Sequence, residues 1–197
     1  MKARNITIDA TVLFVDLRGY TAASQVLDPN GMTSILDAFY DECAGAIWDH
    51  DGLLNKTIGD AMMAIFNFPI RHEDHAAQAV RTAREMQYRW RKRRTDLLAK
   101  FGLNEDRLGI GIGISSGKVN FGEFGQSYRD LTAIGTVVNI AARAQSASLA
   151  GQILVTTGVR DQCKDELINA EAKKYELKGL AEPIELCNAG EIDGLSR

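Results

Sequence analysis

The scarcities of this chain narrow its chemistry first. Its 197 residues include three cysteines, Cys43, Cys163 and Cys187. An odd number at wide spacing argues against a disulfide framework and suits small, buried free thiols in a reducing cytoplasm. Histidine is equally sparse: His50, His72 and His75 are the full set. Of these, His72-x-x-His75 has metal-ligand spacing, but no cysteine or further histidine lies near it, so it reads as the polar start of a helix. No apolar run approaches the ~20 residues needed to cross a bilayer, and no basic segment with a following apolar stretch opens the chain. A formal net charge of −3 gives no electrostatic footprint for nucleic acid or an anionic membrane surface. Repeats, low-complexity tracts and linkers are also absent, so no membrane or nucleic-acid partner is expected for this segment.

What is present is ordinary globular sequence. Hydrophobic residues make up 45% and charged residues 25%, and the length supports one domain with a sizeable core and is marginal for two. Ile6 to Val15 is apolar and β-branched and reads as a buried strand ending at Asp16. Thr21 is placed to cap a helix after it, and Asp28-Pro29-Asn30-Gly31 reads as a turn. Apolar residues at Ile35, Leu36, Phe39, Tyr40, Cys43 and Ile47 mark an amphipathic helix from Met32 to Trp48. A hairpin follows, with strands at Leu53–Thr57 and Ala61–Phe66 around Gly59. Glu73 to about Lys100 reads as one long helix whose basic end, Arg89 to Arg94, is expected to be solvated.

The run Leu108 to Gly117 alternates glycine with isoleucine. A dinucleotide-binding glycine loop would have to open a helix; β-branched residues at every second position predict a strand instead, its glycines admitting close backbone approach from one side. Lys118 to Phe124 is expected as a partner strand, Thr136 to about Leu149 as a helix, and Gly151–Thr156 as another strand. A short helix over Gly158–Cys163 and a strand, loop and strand over Tyr175–Cys187 complete the chain. The opening order, strand–helix–strand–strand–helix–strand, is the split βαβ pattern of a ferredoxin-like α+β core.

In such a core the first strand and the central hairpin are neighbours, so Asp16 and Asp60 share one edge of the sheet. Two carboxylates together repel, and a hard cation between them, completed by substrate phosphates, resolves the repulsion. The plainer alternative is a pair of turn and cap aspartates. Asn139 and Arg143, four apart on one helix face, place an amide beside a guanidinium, a pair suited to a ribose and a phosphate oxygen; an exposed polar face is the alternative. Lys178, beside Gly179 on a loop, is either a point charge for a terminal phosphate or a surface lysine.

Taken together, Phe14-Val15-Asp16-Leu17-Arg18-Gly19-Tyr20-Thr21, Lys56-Thr57-Ile58-Gly59-Asp60, Thr132 through Arg143 and Leu177-Lys178-Gly179 resemble, in order, the motifs of class III nucleotide cyclase catalytic domains. The resemblance covers about Ile6 to Ala189 of a single domain spanning 1–197. It implies a ferredoxin-like cyclase fold acting as a head-to-tail homodimer with two sites at the interface. One subunit would supply Asp16 and Asp60 to two Mg²⁺ or Mn²⁺ ions. The other would supply Lys56 and Thr132 to the base, Asn139 to the ribose, Arg143 to the α-phosphate and Lys178 to the terminal phosphates. The implied reaction is attack of the ribose 3′-hydroxyl on the α-phosphorus, giving a 3′,5′-cyclic nucleotide and pyrophosphate, by positioning and charge neutralisation.

Hydrogen bonding favours ATP. Adenine offers an acceptor at N1 to Lys56 and a donor at its 6-amino group to Thr132, whereas guanine reverses the pattern. The family more often carries aspartate where Thr132 stands, and a hydroxyl that both donates and accepts is expected to discriminate more loosely. Leu131 and Asp51 are further departures, where tyrosine and glycine are usual. A guanylate cyclase and a non-catalytic cyclase-like dimerisation or sensing module are the alternatives, although neither metal aspartate is lost, nor is the Asn139–Arg143 pair. A diguanylate cyclase would need a Gly-Gly-Asp/Glu-Glu-Phe signature, which Ile58-Gly59-Asp60-Ala61-Met62 does not supply. At this length the chain is expected to be a catalytic module separated from its sensor, anchor or other regulatory domains.

Overall fold

Strand β1 (Ile6–Arg18) is the axis of the molecule. The computed structural model describes residues 5–104, 108–127, 129–167 and 170–190, so the outermost parts of the expected 1–197 domain lie outside the described residues. Along β1 the side chains alternate between two cores. Leu13, Val15 and Leu17 face one cluster; Val12 and Phe14 face the other, as a period of two requires. Asp16 therefore falls on the Val12–Phe14 face, at the end where that face is only half-covered.

Helix α1 (Tyr20–Ala23) and helix α2 (Pro29–Asp49) lead to a hairpin of β2 (Leu53–Ile58) and β3 (Ala61–Phe66); α3 (His75–Phe101) then returns the chain to β4 (Gly109–Phe124). The four strands lie in the order β2-β3-β1-β4, with β1 antiparallel to both β3 and β4. This is the ferredoxin-like core expected from the sequence. Beyond it come β5 (Asp130–Ile134), α4 (Thr136–Ala147), β6 (Ile153–Thr156), the short helices α5 (Thr157–Gln162) and α6 (Lys164–Leu167), β7 (Ala172–Tyr175) and β8 (Ile184–Asn188). The sheet extends through β4-β6-β8-β7, with β5 paired to β4 as a branch. Helices α2 and α3 cover one face around Phe39, Met86 and Trp90, and α4 lies on the other.

Several local expectations are corrected. Lys118–Phe124 is not a separate partner strand but the second half of the 16-residue β4. The pairing with β1 runs unbroken from Ile6 opposite Phe121 to Arg18 opposite Gly109, and this ladder carries the strand through Gly117. Strand β1 likewise continues past Asp16 to Arg18. Thr21 does not cap: α1 starts at Tyr20 behind Gly19. Asp28-Pro29 opens α2 rather than forming a free turn, since the Asp28 carboxylate accepts the Gly31 N–H at 2.8 Å and proline sits in the first turn. Strand β7 ends at Tyr175, so Leu177 and Lys178 belong wholly to a loop. His75 is buried and bonds Thr11 Oγ1 at 2.7 Å, and all three cysteines are buried and free.

Candidate active site

Asp16 and Asp60 meet because β1 and β3 pair with Asp16 opposite Ala61. Gly59 takes φ +58 at the hairpin tip, a conformation glycine adopts without steric cost. The Asp60 carbonyl then accepts the Leu17 N–H at 3.0 Å, which closes the hairpin onto β1. Tyr40 also donates its hydroxyl to the Gly59 carbonyl. The Asp16 carboxyl is raised above the ordinary carboxylate range: burial contributes most and the nearby Asp60 adds to it, while Arg18, Gln145 and the Leu17 backbone oppose the rise. The Arg18 guanidinium pairs with Asp16 Oδ2 at 2.7 Å, and Gln145 Nε2 donates to the same oxygen at 3.0 Å. Arg18 is itself steadied by the Gln145 carbonyl and, at 3.4 Å, by Ser148 Oγ. Asp60 in turn raises the neighbouring Tyr20 phenol, second to the effect of burial.

A second group gathers where β2 passes β5. Lys56 pairs with Asp130. Asn55 bridges the Thr132 hydroxyl at 2.8 Å and the Leu131 carbonyl at 2.9 Å. Lys56 and Thr132, widely separated in sequence, thus stand in one cluster of a single chain.

The third group belongs to α4. This helix lies directly on the glycine stripe of β4: a Cβ at Gly113 would fall 2.1 Å from the Gln145 nitrogen, and one at Gly111 2.4 Å from Ser148 Oγ. Ala141, Ala144 and Gln145 form its buried face. Two residues along a helix is about 200° of rotation, so Arg143 points outward where Gln145 points in. Asn139, on the same face as Arg143, is exposed with it. Among the described residues neither has a side-chain hydrogen-bond partner. The Lys178 loop is anchored beside them: Leu177 is buried against Ala144, Leu154 and Leu186, and a Cβ at Gly179 would stand 3.8 Å from Arg143 Nη2. Residues 176–183 line a cavity of about 490 Å³ around this loop.

One chain therefore brings together Asp16 with Asp60, Lys56 with Thr132, and Asn139 with Arg143 and the Lys178 loop. It does not bring the carboxylates to the outward face of α4.

A family model described as the adenylate and guanylate cyclase catalytic domain matches residues 4–187. The chain belongs to this family. An adenylate cyclase of Anabaena cylindrica is 34% identical over 152 residues, which is 76% of this chain and 30% of that protein. Adenylate cyclase 1 of Rhizobium meliloti is 28% identical over 197 residues, covering 92% of this chain and 29% of its own length. The chain thus spans about 30% of the length of these two relatives. Among solved structures, the adenylyl cyclase CyaB from P. aeruginosa superposes with a TM-score of 0.85 at 28% identity, covering 94% of this chain and 95% of that one. The guanylyl cyclase Cya2 does so with 0.83 at 26%, covering 93% and 92%.

Within this cyclase domain, Arg18, Gln145, Ser148, Asn55 and Asp130 are site-shaping residues that sequence reading missed. Arg18 stood inside a recognised motif, and Gln145 is a lone long amide on an otherwise small buried face. Asn55 and Asp130 gave no signal beyond adjacency to Lys56 and Thr132. The carboxylate pair fits a hard divalent cation. Among the described residues no group of three or more His, Cys, Asp or Glu that could hold a metal ion is found. The upward push of Asp60 on Asp16 is the repulsion a cation would relieve.

Proposed function

We propose that this cyclase domain converts ATP to 3′,5′-cyclic AMP and pyrophosphate at two sites shared across a head-to-tail homodimer. The observation that carries this reading is the division of α4. Its inner face bonds Asp16 of its own chain, while Asn139 and Arg143 look outward, free to meet a triphosphate held by a second copy. Ile58, Leu131 and Ile134, large apolar side chains left exposed near Asp60, Lys56 and Thr132, support a face that a second copy covers.

In this reading Asn139 holds the ribose so that its 3′-oxygen lies in line with the α-phosphorus. A bond forms there as the 3′-hydroxyl gives up its proton to solvent and the bond to the α–β bridging oxygen breaks, and pyrophosphate leaves with the electron pair. Arg143 meets the charge that grows on the α-phosphoryl oxygens, and Lys178 holds the terminal phosphates, so both act more strongly on the transition state than on the ground state. Mg²⁺ or Mn²⁺ held by Asp16 and Asp60 would lower the pKa of the 3′-hydroxyl and neutralise the triphosphate. Lys56 donates to adenine N1 and Thr132 accepts from the 6-amino group. The free, buried cysteines agree with a cytoplasmic setting.

Mass-spectrometric product analysis after incubation with ATP or GTP and Mn²⁺ tests the reading. Cyclic AMP as the dominant product is expected. Absence of any cyclic nucleotide, or faster formation of cyclic GMP, would overturn it.

A further inference from the structure

Asn55 lies one residue before Lys56 on β2, and its amide is held at both ends. Its Nδ2 donates to the Leu131 carbonyl at 2.9 Å. That bond sets which way round the amide lies, because only an N–H can usefully face a carbonyl oxygen. Oδ1 is then the atom that meets Thr132, at 2.8 Å. An amide oxygen has no hydrogen to give, so the Thr132 hydroxyl must donate. The other acceptor within reach, the Ala133 carbonyl at 3.5 Å, also has nothing to donate. The Asn55 oxygen is much the nearer of the two and the Ala133 carbonyl lies at the outer limit of a hydrogen bond, so it is Asn55 that keeps the single proton of Thr132 inside the chain, and the lone pairs are what a ligand meets.

We infer that Asn55 is a specificity-determining residue, an inference that rests on the reading of Lys56 and Thr132 as base contacts. Asn55 turns an ambivalent hydroxyl into a fixed acceptor. A 6-amino group donates to that acceptor, whereas the O6 of guanine would set lone pair against lone pair. The purine site then leaves a buried polar atom unpaired when it holds the wrong base, which is where discrimination is strongest. Asp130 acts alongside on Lys56, holding its ammonium by one donor and leaving the others for a ring nitrogen. The looser selectivity expected of threonine is thereby removed by its neighbour.

The test compares kcat/KM for ATP with that for GTP, using the full chain with Mn²⁺, in wild type, Asn55→Ala, Thr132→Val and the double variant. Asn55→Ala should lower the ATP-to-GTP ratio by about five- to tenfold, mainly through improved use of GTP, because Thr132 can then donate to O6. Adding Asn55→Ala to Thr132→Val should lower the ratio no further, a non-additivity that general loss of structure would not produce. Thermal unfolding checks folding. Asn55→Thr, a strand-compatible residue whose hydroxyl can itself donate, serves where Asn55→Ala does not fold, and should also lower the ratio. An unchanged ratio in the folded Asn55 variant, with wild type preferring ATP, overturns the role of Asn55 alone, as does a further fall in the double variant. A wild type that prefers GTP or forms no cyclic product overturns the underlying reading as well.

Discussion

The Asp16 carboxylate is held between opposing influences: burial and Asp60 press it towards its neutral form, while Arg18, Gln145 and the Leu17 backbone favour the charge. Replacing either acidic group by its amide keeps the shape and removes the charge that would grip a cation. Asp16→Asn and Asp60→Asn should each lower turnover by roughly a thousandfold, read by cyclic-nucleotide production at saturating ATP. His75 offers a separate, purely structural check. Burial lowers its pKa from the ordinary 6.5, against smaller opposing effects of Asp9 and Asp74, and its ring bonds Thr11. The unfolded chain therefore binds a proton more readily than the folded one. Stability from neutral His75 is fully present above pH 6.5 and is lost as pH falls through the lower folded value. Urea unfolding at a series of pH values should show that loss, and His75→Gln should flatten it. At this scale the charged motif residues were legible because charge and turn chemistry are local, whereas the bond from Gln145 to Asp16 depends on which face of α4 the sheet covers.

Elements are where the sequence was clearest and also where it misled. The alternation of glycine and isoleucine in β4 is a two-sided statement: Ile110, Ile112 and Ile114 fill the core under α2 and α3, while the glycines let α4 settle on the backbone. Gly113→Ala should destabilise the fold by about 1–3 kcal/mol or more, since the new methyl group would meet the backbone of Gln145 and Ala141. Denaturant unfolding measures this, and a smaller amount of folded protein should show reduced turnover as Gln145 is moved off Asp16. Gly117 looked like a strand break because its neighbours are Ser115, Ser116 and Lys118; the long ladder to β1 decided otherwise. Strand β5 escaped notice because Asp130–Ile134 is only five residues long and opens on an aspartate, so its pairing with β4 rather than its composition makes it a strand.

At the scale of the whole molecule, the ferredoxin-like order was readable from the succession of elements, because short connections leave few topologies for such a pattern. What no single chain supplies is the meeting of carboxylates with the outward face of α4. Mixing an Asp60→Ala chain with an Arg143→Ala chain should therefore restore activity that neither has alone, up to about a quarter of wild type at equal amounts, since half the dimers are mixed and each has one intact site. Turnover should also fall on dilution as dimers separate. In the proposed dimer the same two-sided helix would steady its own subunit's acid pair through Gln145 and present amide and guanidinium to its neighbour's, so any tilt of that rod would detune both catalytic pockets in one movement. Substitutions that shift the body of α4, such as Gly113→Ala beneath it, should accordingly resist rescue by a healthy partner, whereas side-chain losses at Arg143 or Asp60 should not.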